Sequence, residues 1–168
     1  MRYIGLVLFL FSLHTIAQNP HLEAFEPLVN KTWKAHGKWS NGSEFIQEIS
    51  FEYDLQKNIV VTHSKGFIDH SQTKYGNRNH GIRTWGNASN TIKFWEFDVF
   101  GGVTEGTVVI ENKNFIYTYK YGDTIITDMW EYIDENTYRF VVGVFDGEKW
   151  QAIYLDTHFR LVSSGDKE

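Results

Sequence analysis

Hydrophobic and polar side chains alternate with a period of two along most of the chain from Lys31 onward. In the first such stretch Trp33 and Trp39 fall on one face, while Lys34 and Lys38 fall on the other. A period of two indicates a β-strand with one face buried and one face in solvent. The pattern therefore predicts a chain made almost entirely of strands.

Clusters of Gly, Asn, Asp and Ser divide this pattern into about ten strands. Before them, residues 20–29 predict a short helical turn, because Pro20 suits a first helical position and Pro27 discourages continuation. The longest loop is expected at 69–79, and Gly101-Gly102 predicts a tight hairpin. The predicted strands are 31–39, 45–53, 58–67, 80–85, 91–100, 103–111, 114–121, 124–133, 138–145 and 148–162.

The short connections decide how these strands are arranged. Parallel neighbours need crossovers of a dozen or more residues, and the turns are too short for that. An antiparallel sheet of about ten strands leaves two edges exposed, and closure into a barrel removes both. We therefore predict an all-β, up-and-down antiparallel barrel with a short N-terminal helical turn. A two-layer β-sandwich is the alternative.

The first residues have the pattern of an export signal. Residues 1–17 combine Arg2, an apolar run over 4–13 and Ala17 at the expected cleavage point. An uncleaved anchor or a buried strand is the alternative. We expect a secreted or periplasmic protein with an N-terminal segment at 18–30, a barrel domain at 31–162 and a flexible polar tail at 163–168. After cleavage the remaining sequence would contain no second long apolar run, so no membrane span is predicted.

Composition removes several classes of function. The chain has 0 Cys, which excludes disulfides and thiolate metal sites. Its formal net charge of -5 argues against nucleic acid as a partner. Aromatic residues make up 17% of the chain, which suits a barrel with aromatic walls. Neither a nucleophile elbow nor a phosphate-binding loop occurs, and no cofactor is expected.

Two stretches carry a resemblance to known proteins. A helical turn followed by a first strand with Trp33 resembles the start of lipocalin-like (calycin) barrels, although 30–33 (NKTW) departs from their Gly-x-Trp pattern. The runs 81–85 (GIRTW) and 94–102 (FWEFDVFGG) resemble a group of uncharacterised bacterial calycin-like proteins. This resemblance covers most of 25–162 and implies a barrel with a central cavity, without naming a ligand.

Nitrobindin-type haem barrels are more distantly similar. They carry an axial His in the last strand, and His158 lies in the corresponding strand here. They also have a Gly-rich first strand, to which only Gly37 corresponds in this sequence. Alternation in this strand, however, places His158 on the face opposite Leu155 and Phe159, which predicts an outward position. Haem binding is therefore an alternative and not the main prediction.

Several strands place one polar side chain within an aromatic face, which is typical of a small-molecule site. A buried Arg83 needs a carboxylate, which Asp128, Glu105 or an anionic ligand would supply. The alternative is an ion pair that merely fills a solid core. The candidate ligand-binding residues are Gln47, His63, Arg83, Trp85, Glu105, Tyr117, Tyr119, Asp128 and Trp130.

Two other groups have weaker patterns. Glu96 and Asp98 share one face of a strand and would suit acid-base chemistry, but solvated surface carboxylates are the favoured interpretation. His63, His70 and His80 surround the long loop, but their spacing matches no compact metal motif, so no metal site is expected.

The sequence thus predicts a secreted lipocalin-like protein that binds a small, partly polar or anionic molecule inside the barrel. The alternatives are an enzyme that uses acidic residues beside Arg83, a haem-binding barrel, and an interaction module with a solid core. The sequence does not give the oligomeric state.

Overall fold

A computed structural model describes residues 19–162, which form a closed barrel of ten antiparallel strands. Each strand pairs with its neighbours in the chain, and the first strand pairs with the last. This confirms the predicted barrel and excludes the sandwich. The strands are β1 (Lys31–Lys38), β2 (Glu44–Asp54), β3 (Ile59–Phe67), β4 (Tyr75–Gly86), β5 (Thr91–Asp98), β6 (Val103–Glu111), β7 (Asn114–Tyr121), β8 (Thr124–Asp134), β9 (Thr137–Phe145) and β10 (Trp150–Leu161).

In the described part of the chain, the helices are two short 3₁₀ turns, Glu23–Phe25 and Leu55–Lys57. Between residues 19 and 162, no helix is long and apolar enough to cross a membrane. The predicted signal at 1–17 and the predicted tail at 163–168 lie outside the described residues.

The fourth strand begins earlier than the sequence predicts. It starts at Tyr75, which pairs with Phe67, so the loop predicted at 69–79 is in fact confined to 68–74. Asp69 organises this shorter loop by accepting hydrogen bonds from the backbone amides of Thr73 at 3.0 Å and Lys74 at 2.9 Å. The start of β4 is rich in Gly and Asn, which have low strand propensity. It nevertheless forms a strand because the β3 backbone pairs with it.

The N-terminal segment closes one end of the barrel. Leu22, Phe25 and Leu28 are fully buried there. The Trp33 indole donates a hydrogen bond to the Leu28 carbonyl at 3.3 Å, and the Tyr53 hydroxyl donates to the Leu22 carbonyl at 3.0 Å. This end is therefore closed and tethered, and the loops after β1, β3 and β5 lie at the opposite end.

The seam between the first and last strands is irregular. Trp33 pairs with Leu161 in the ladder. Further along, the Thr157 hydroxyl donates a hydrogen bond to the His36 carbonyl at 2.8 Å. A Cβ at Gly37 would lie 3.0 Å from the Thr157 side chain, so the glycine gives that side chain room. A side chain therefore helps to close the barrel where the backbone ladder is interrupted.

Aromatic side chains fill the half of the barrel next to the sealed end. Phe115 and Tyr138 are buried, and the Phe115 ring lies 5.2 Å from that of Phe25. Above them Trp130 stacks on Phe159 with ring centroids 4.2 Å apart. This layer is the hydrophobic core, and it forms the floor beneath the polar part of the interior.

Candidate functional site

A cavity of about 120 Å³ lies inside the barrel above the aromatic floor. Six strands contribute to its wall, which combines polar and apolar side chains. The polar lining residues are Gln47, Asn79, Arg83, Glu96, Tyr117 and Asp128, and the apolar ones are Ile49, Phe51, Phe94, Trp130 and Phe140.

Arg83 is the cation of this cavity and is only 3% exposed. Its Nη1 donates to the Thr62 hydroxyl at 2.6 Å, its Nη2 to a Glu96 carboxylate oxygen, and its Nε to the Tyr117 hydroxyl at 3.3 Å. Burial alone would lower the pKa of Arg83, but Glu96 and Tyr117 raise it above its ordinary value. The protein therefore balances the charge of Arg83 internally.

Aromatic rings surround the same guanidinium. Its carbon lies 5.3 Å from the ring centre of Tyr117, 5.9 Å from that of Phe51 and 6.0 Å from that of Phe94. A guanidinium within about 6 Å of an aromatic face gains cation–π attraction, which is stronger where water is excluded. Arg83 is thus held by rings as well as by hydrogen bonds.

Gly81 makes room for this cluster. A Cβ at Gly81 would overlap Nη1 of Arg83, a carboxylate oxygen of Glu96 and the hydroxyl of Thr62. An isolated glycine inside a strand often marks such a close approach. It is therefore a sequence signal that could have located the cluster.

Asp128 faces the same cavity and is partly buried. The Tyr119 hydroxyl donates a hydrogen bond to its Oδ1 at 3.0 Å. Burial raises the pKa of Asp128 to about 7, the hydrogen bond from Tyr119 opposes this, and the charge of Glu96 adds to it. Near neutral pH the carboxyl group therefore exists in both protonation states.

A second chamber of about 270 Å³ lies toward the open end, and Gln47 and Asn79 line both spaces. Among residues 19–162, neither of these two amide side chains has a hydrogen-bond partner. Arg78 lines the outer chamber, where it donates to the Phe67 carbonyl and lies 5.1 Å from the Phe100 ring centre. Arg78 is the extra residue of a bulge in β4, a position that strand alternation does not reveal.

Five of the predicted site residues line the inner cavity together. Gln47, Arg83, Tyr117, Asp128 and Trp130 all face it, each from the side of the strand that alternation indicates. Whether they bind a ligand stays a prediction.

Two more predicted residues do not line the cavity. Tyr119 supports Asp128 through the hydrogen bond described above. Trp85 lies at the sealed end, where it stacks on His21 with ring centroids 3.5 Å apart. The first is a supporting residue and the second is part of the end closure.

His63 and Glu105 are on the outer wall, so their predicted inward positions are wrong. His63 is exposed, and the inward face of β3 carries Thr62 instead. Val60 and Val61 are both apolar, so alternation in β3 did not define a face. Glu105 is also exposed and accepts a hydrogen bond from the Trp95 indole at 3.1 Å.

The carboxylate that pairs with Arg83 is Glu96, not the predicted Asp128 or Glu105. The favoured interpretation of Glu96 as a surface residue is therefore wrong. It shares the inward face of β5 with Phe94, which is 3% exposed. Asp98 instead organises the turn after β5, where it accepts a hydrogen bond from the Gly102 amide at 2.8 Å.

His158 is exposed on the outer wall of β10. It therefore does not face the lumen, where an axial haem ligand in the manner of the nitrobindin-type barrels would lie.

The comparisons with known proteins add a fold-level likeness. No family model matches the chain, and neither does a curated protein. Among solved structures the chain is similar to the S-type phycobiliprotein lyase CPES from Guillardia theta, with 12% identity and a TM-score of 0.45 over 83% of this chain and 89% of that chain. A likeness of this size indicates no ligand. The closed antiparallel barrel is the architecture that the sequence predicts, and the calycin-like and narrower family resemblances stay predictions.

Proposed function

We propose that this protein is a binding protein that holds a small polar molecule inside its barrel. The observation that carries the proposal is the set of polar groups around one internal cavity. The side-chain amides of Gln47 and Asn79 have no hydrogen-bond partner among residues 19–162 and are partly exposed, and the carboxyl groups of Glu96 and Asp128 face the same space. Groups left open toward a cavity are what a ligand would pair with.

The charges of the lining favour a neutral or cationic head group. Arg83 and Glu96 neutralise each other, and Asp128 adds either a proton donor or a negative charge. An anionic head group would meet two carboxyl groups and a guanidinium that is already paired. A hydroxyl, amide or amine would donate hydrogen bonds to the same carboxyl groups. Of the two ligand types that the sequence suggested, the partly polar one fits better than the anionic one.

The dimensions favour a ligand with a small head and an extended remainder. The inner cavity of about 120 Å³ has the volume of about four water molecules, which suits one head group. Gln47 and Asn79 stand between it and the outer chamber of about 270 Å³. That chamber is lined by the aromatic residues Trp39, Phe45 and Phe100 and by polar residues that include Glu44, Asp69 and Arg78. The remainder of the ligand would lie there, between aromatic and polar side chains.

We also propose that the protein is exported. The supporting feature is the signal-like pattern of residues 1–17. Expression of the full chain in a Gram-negative host, followed by fractionation and intact mass measurement, tests this. A periplasmic product that begins at Gln18 is expected. A cytoplasmic product of full mass would contradict export and would leave the cavity proposal untouched.

Ligand-observed NMR on the purified mature protein tests the binding proposal. The probe set contains small polyols, amides and amines, each with a matched carboxylic acid. We expect binding by neutral or cationic members, weakened at least tenfold in Gln47→Ala and in Asp128→Asn. Glu105→Gln is the matched control, because it removes a carboxylate from the outer wall. Tightest binding by the carboxylic acids, or equal affinities in all variants, would refute the proposal.

One observation favours catalysis as a second candidate. A carboxyl group with a pKa of about 7 suits general acid-base chemistry, and Asp128 has such a pKa in a cavity. If the protein is an enzyme, an identified ligand is chemically altered on incubation with it, and Asp128→Asn stops the change while retaining some binding. Recovery of the ligand unchanged after prolonged incubation would contradict catalysis and would leave binding as the only proposed function.

A further inference from the structure

Two histidines meet on the outer wall, away from the cavity. His63 on β3 and His80 on β4 are directly opposite each other in the antiparallel ladder, and both are exposed. Their Nδ1 atoms are 3.3 Å apart, and their ring centroids are 4.7 Å apart at an interplanar angle of 63°. The sequence pattern predicts these residues on either side of a long loop, and the observed β3–β4 pairing places them side by side.

The separation of the two nitrogens fits chelation of a metal ion. A zinc ion bonds imidazole nitrogen at about 2.0–2.1 Å in tetrahedral geometry, so two nitrogens on one zinc ion are about 3.3 Å apart. We propose that His63 and His80 form a two-imidazole binding site for a divalent transition-metal ion of the Zn²⁺ class. Both rings belong to exposed side chains, so a small rotation can direct both lone pairs at one ion. In the free protein the two nitrogens share a hydrogen bond instead.

The surroundings leave space for the other coordination positions. The histidines line an outer groove of about 700 Å³, which Ser50 enters from β2 directly opposite His63. Lys65 lines the same groove, but Glu48 holds its ammonium group at 3.3 Å. Within residues 19–162, no group of three His, Cys, Asp or Glu side chains is close enough to hold a metal ion. Water would therefore complete the coordination, and the affinity would be that of a two-ligand, exchangeable site.

The site depends on a rigid scaffold. His63 and His80 lie inside a continuous stretch of the β3–β4 ladder, with paired residues on both sides. Metal binding would therefore join two strands that are already in register and would need no ordering of a loop. Glutamine in place of either histidine keeps a polar, exposed side chain, so such variants should fold normally.

Calorimetric titration of ZnCl₂ into the mature chain, without an affinity tag, tests the proposal. We expect one Zn²⁺ per chain with micromolar affinity, at least tenfold weaker in His63→Gln and in His80→Gln. His158→Gln is the matched control and should leave the affinity unchanged, because that residue is an exposed histidine on the outer wall of β10. Titration with Co²⁺ should give the visible absorption of a low-symmetry site in wild type only.

Two results would overturn the inference. One is the absence of Zn²⁺ binding at up to millimolar metal in a folded wild-type protein. The other is binding that survives unchanged in the His63→Gln/His80→Gln double variant, which would place the ion elsewhere. Thermal unfolding without metal checks that the variants are folded. Loss of zinc binding in a variant whose unfolding temperature matches that of wild type then reports on the ligands alone.

Discussion

Glu96 and Arg83 form an ion pair across the cavity wall in which the guanidinium side chain is 4% exposed and the carboxylate side chain 19% exposed. The two residues sit on neighbouring strands but are not direct partners, since Glu96 pairs with Gly81 and Arg83 pairs with Phe94. The glycine lets the carboxylate reach diagonally over β4 to the guanidinium. Breaking this pair leaves one charge in a site that excludes most water.

Removal of either partner should therefore destabilise the barrel. Loss of one member of a buried pair costs about 3–5 kcal/mol, and the partial exposure of Glu96 puts the expected value near the lower end. Urea unfolding at pH 7 of Arg83→Met, Glu96→Gln and the double variant measures this. We expect the double variant to lose clearly less stability than the sum of the single losses.

A surface ion pair provides the control. Lys113 contacts Glu135 at 3.0 Å on the protein surface, and both side chains are exposed. Exposed pairs contribute about 0–1 kcal/mol, so Lys113→Met should have a much smaller effect than Arg83→Met. Equal losses in the two variants, or strictly additive losses at Arg83 and Glu96, would contradict the buried pair.

Asp128 predicts a pH dependence of stability. Burial raises its pKa from the ordinary value of 3.8 to about 7 in the folded protein. Between these values the folded state holds a proton that the unfolded state has lost, so protonation favours folding. The contribution is complete below the unfolded pKa and is lost as the pH rises through about 7. Through this group the free energy of unfolding changes by at most about 1.4 kcal/mol per pH unit.

The measurement compares wild type with Asp128→Asn, which cannot titrate. Between pH 4.5 and 7.5 we expect the wild type to lose stability relative to the variant as the pH rises. Glu105→Gln removes an exposed carboxylate, so the stability of this variant should change with pH in parallel with that of wild type over the same range. A difference between wild type and Asp128→Asn that is independent of pH would mean that Asp128 keeps an ordinary pKa.

The same carboxyl group should respond to its neighbours in opposite directions. Tyr119 donates a hydrogen bond to the charged form, so Tyr119→Phe should raise the pKa of Asp128. Glu96 repels the charged form, so Glu96→Gln should lower that pKa. The ¹³C chemical shift of the Asp128 carboxyl group, followed against pH, reports both changes. Changes in the pKa of Asp128 that have the same sign in the two variants would be inconsistent with this arrangement.

The sequence predicts the barrel because alternation and short turns are properties of each strand separately. It also predicts the inward positions of Arg83, Tyr117 and Asp128, since their strands have one clearly aromatic face. It fails for Glu96, because β5 carries aromatic residues on both faces, with Phe94 inside and Trp95 outside. Only pairing with β4 and β6 decides which face is buried, and pairing is not a local property of the sequence.

The prediction of where β4 begins is wrong for a related reason. The residues from Tyr75 to Asn79 include Gly and Asn, which have low strand propensity, and they extend the strand because β3 offers free backbone groups opposite them. The bulge within this stretch places Arg78 at the open end and brings His80 beside His63. Both features depend on register, which alternation alone does not fix.

Gly81 gives the most direct test of the polar cluster. In Gly81→Ala the new methyl group would overlap Arg83, Glu96 and Thr62, so the cluster has to rearrange. Overpacking of this kind costs about 1–3 kcal/mol, and we expect a loss of at least that size in urea unfolding. Gly76→Ala is the control on the same strand, because its Cβ would lie 3.2 Å from the flexible end of Ile68 and should be accommodated. If Gly81→Ala is as stable as Gly76→Ala and keeps the NMR signals of the Arg83 side chain unchanged, the cluster is not packed against Gly81.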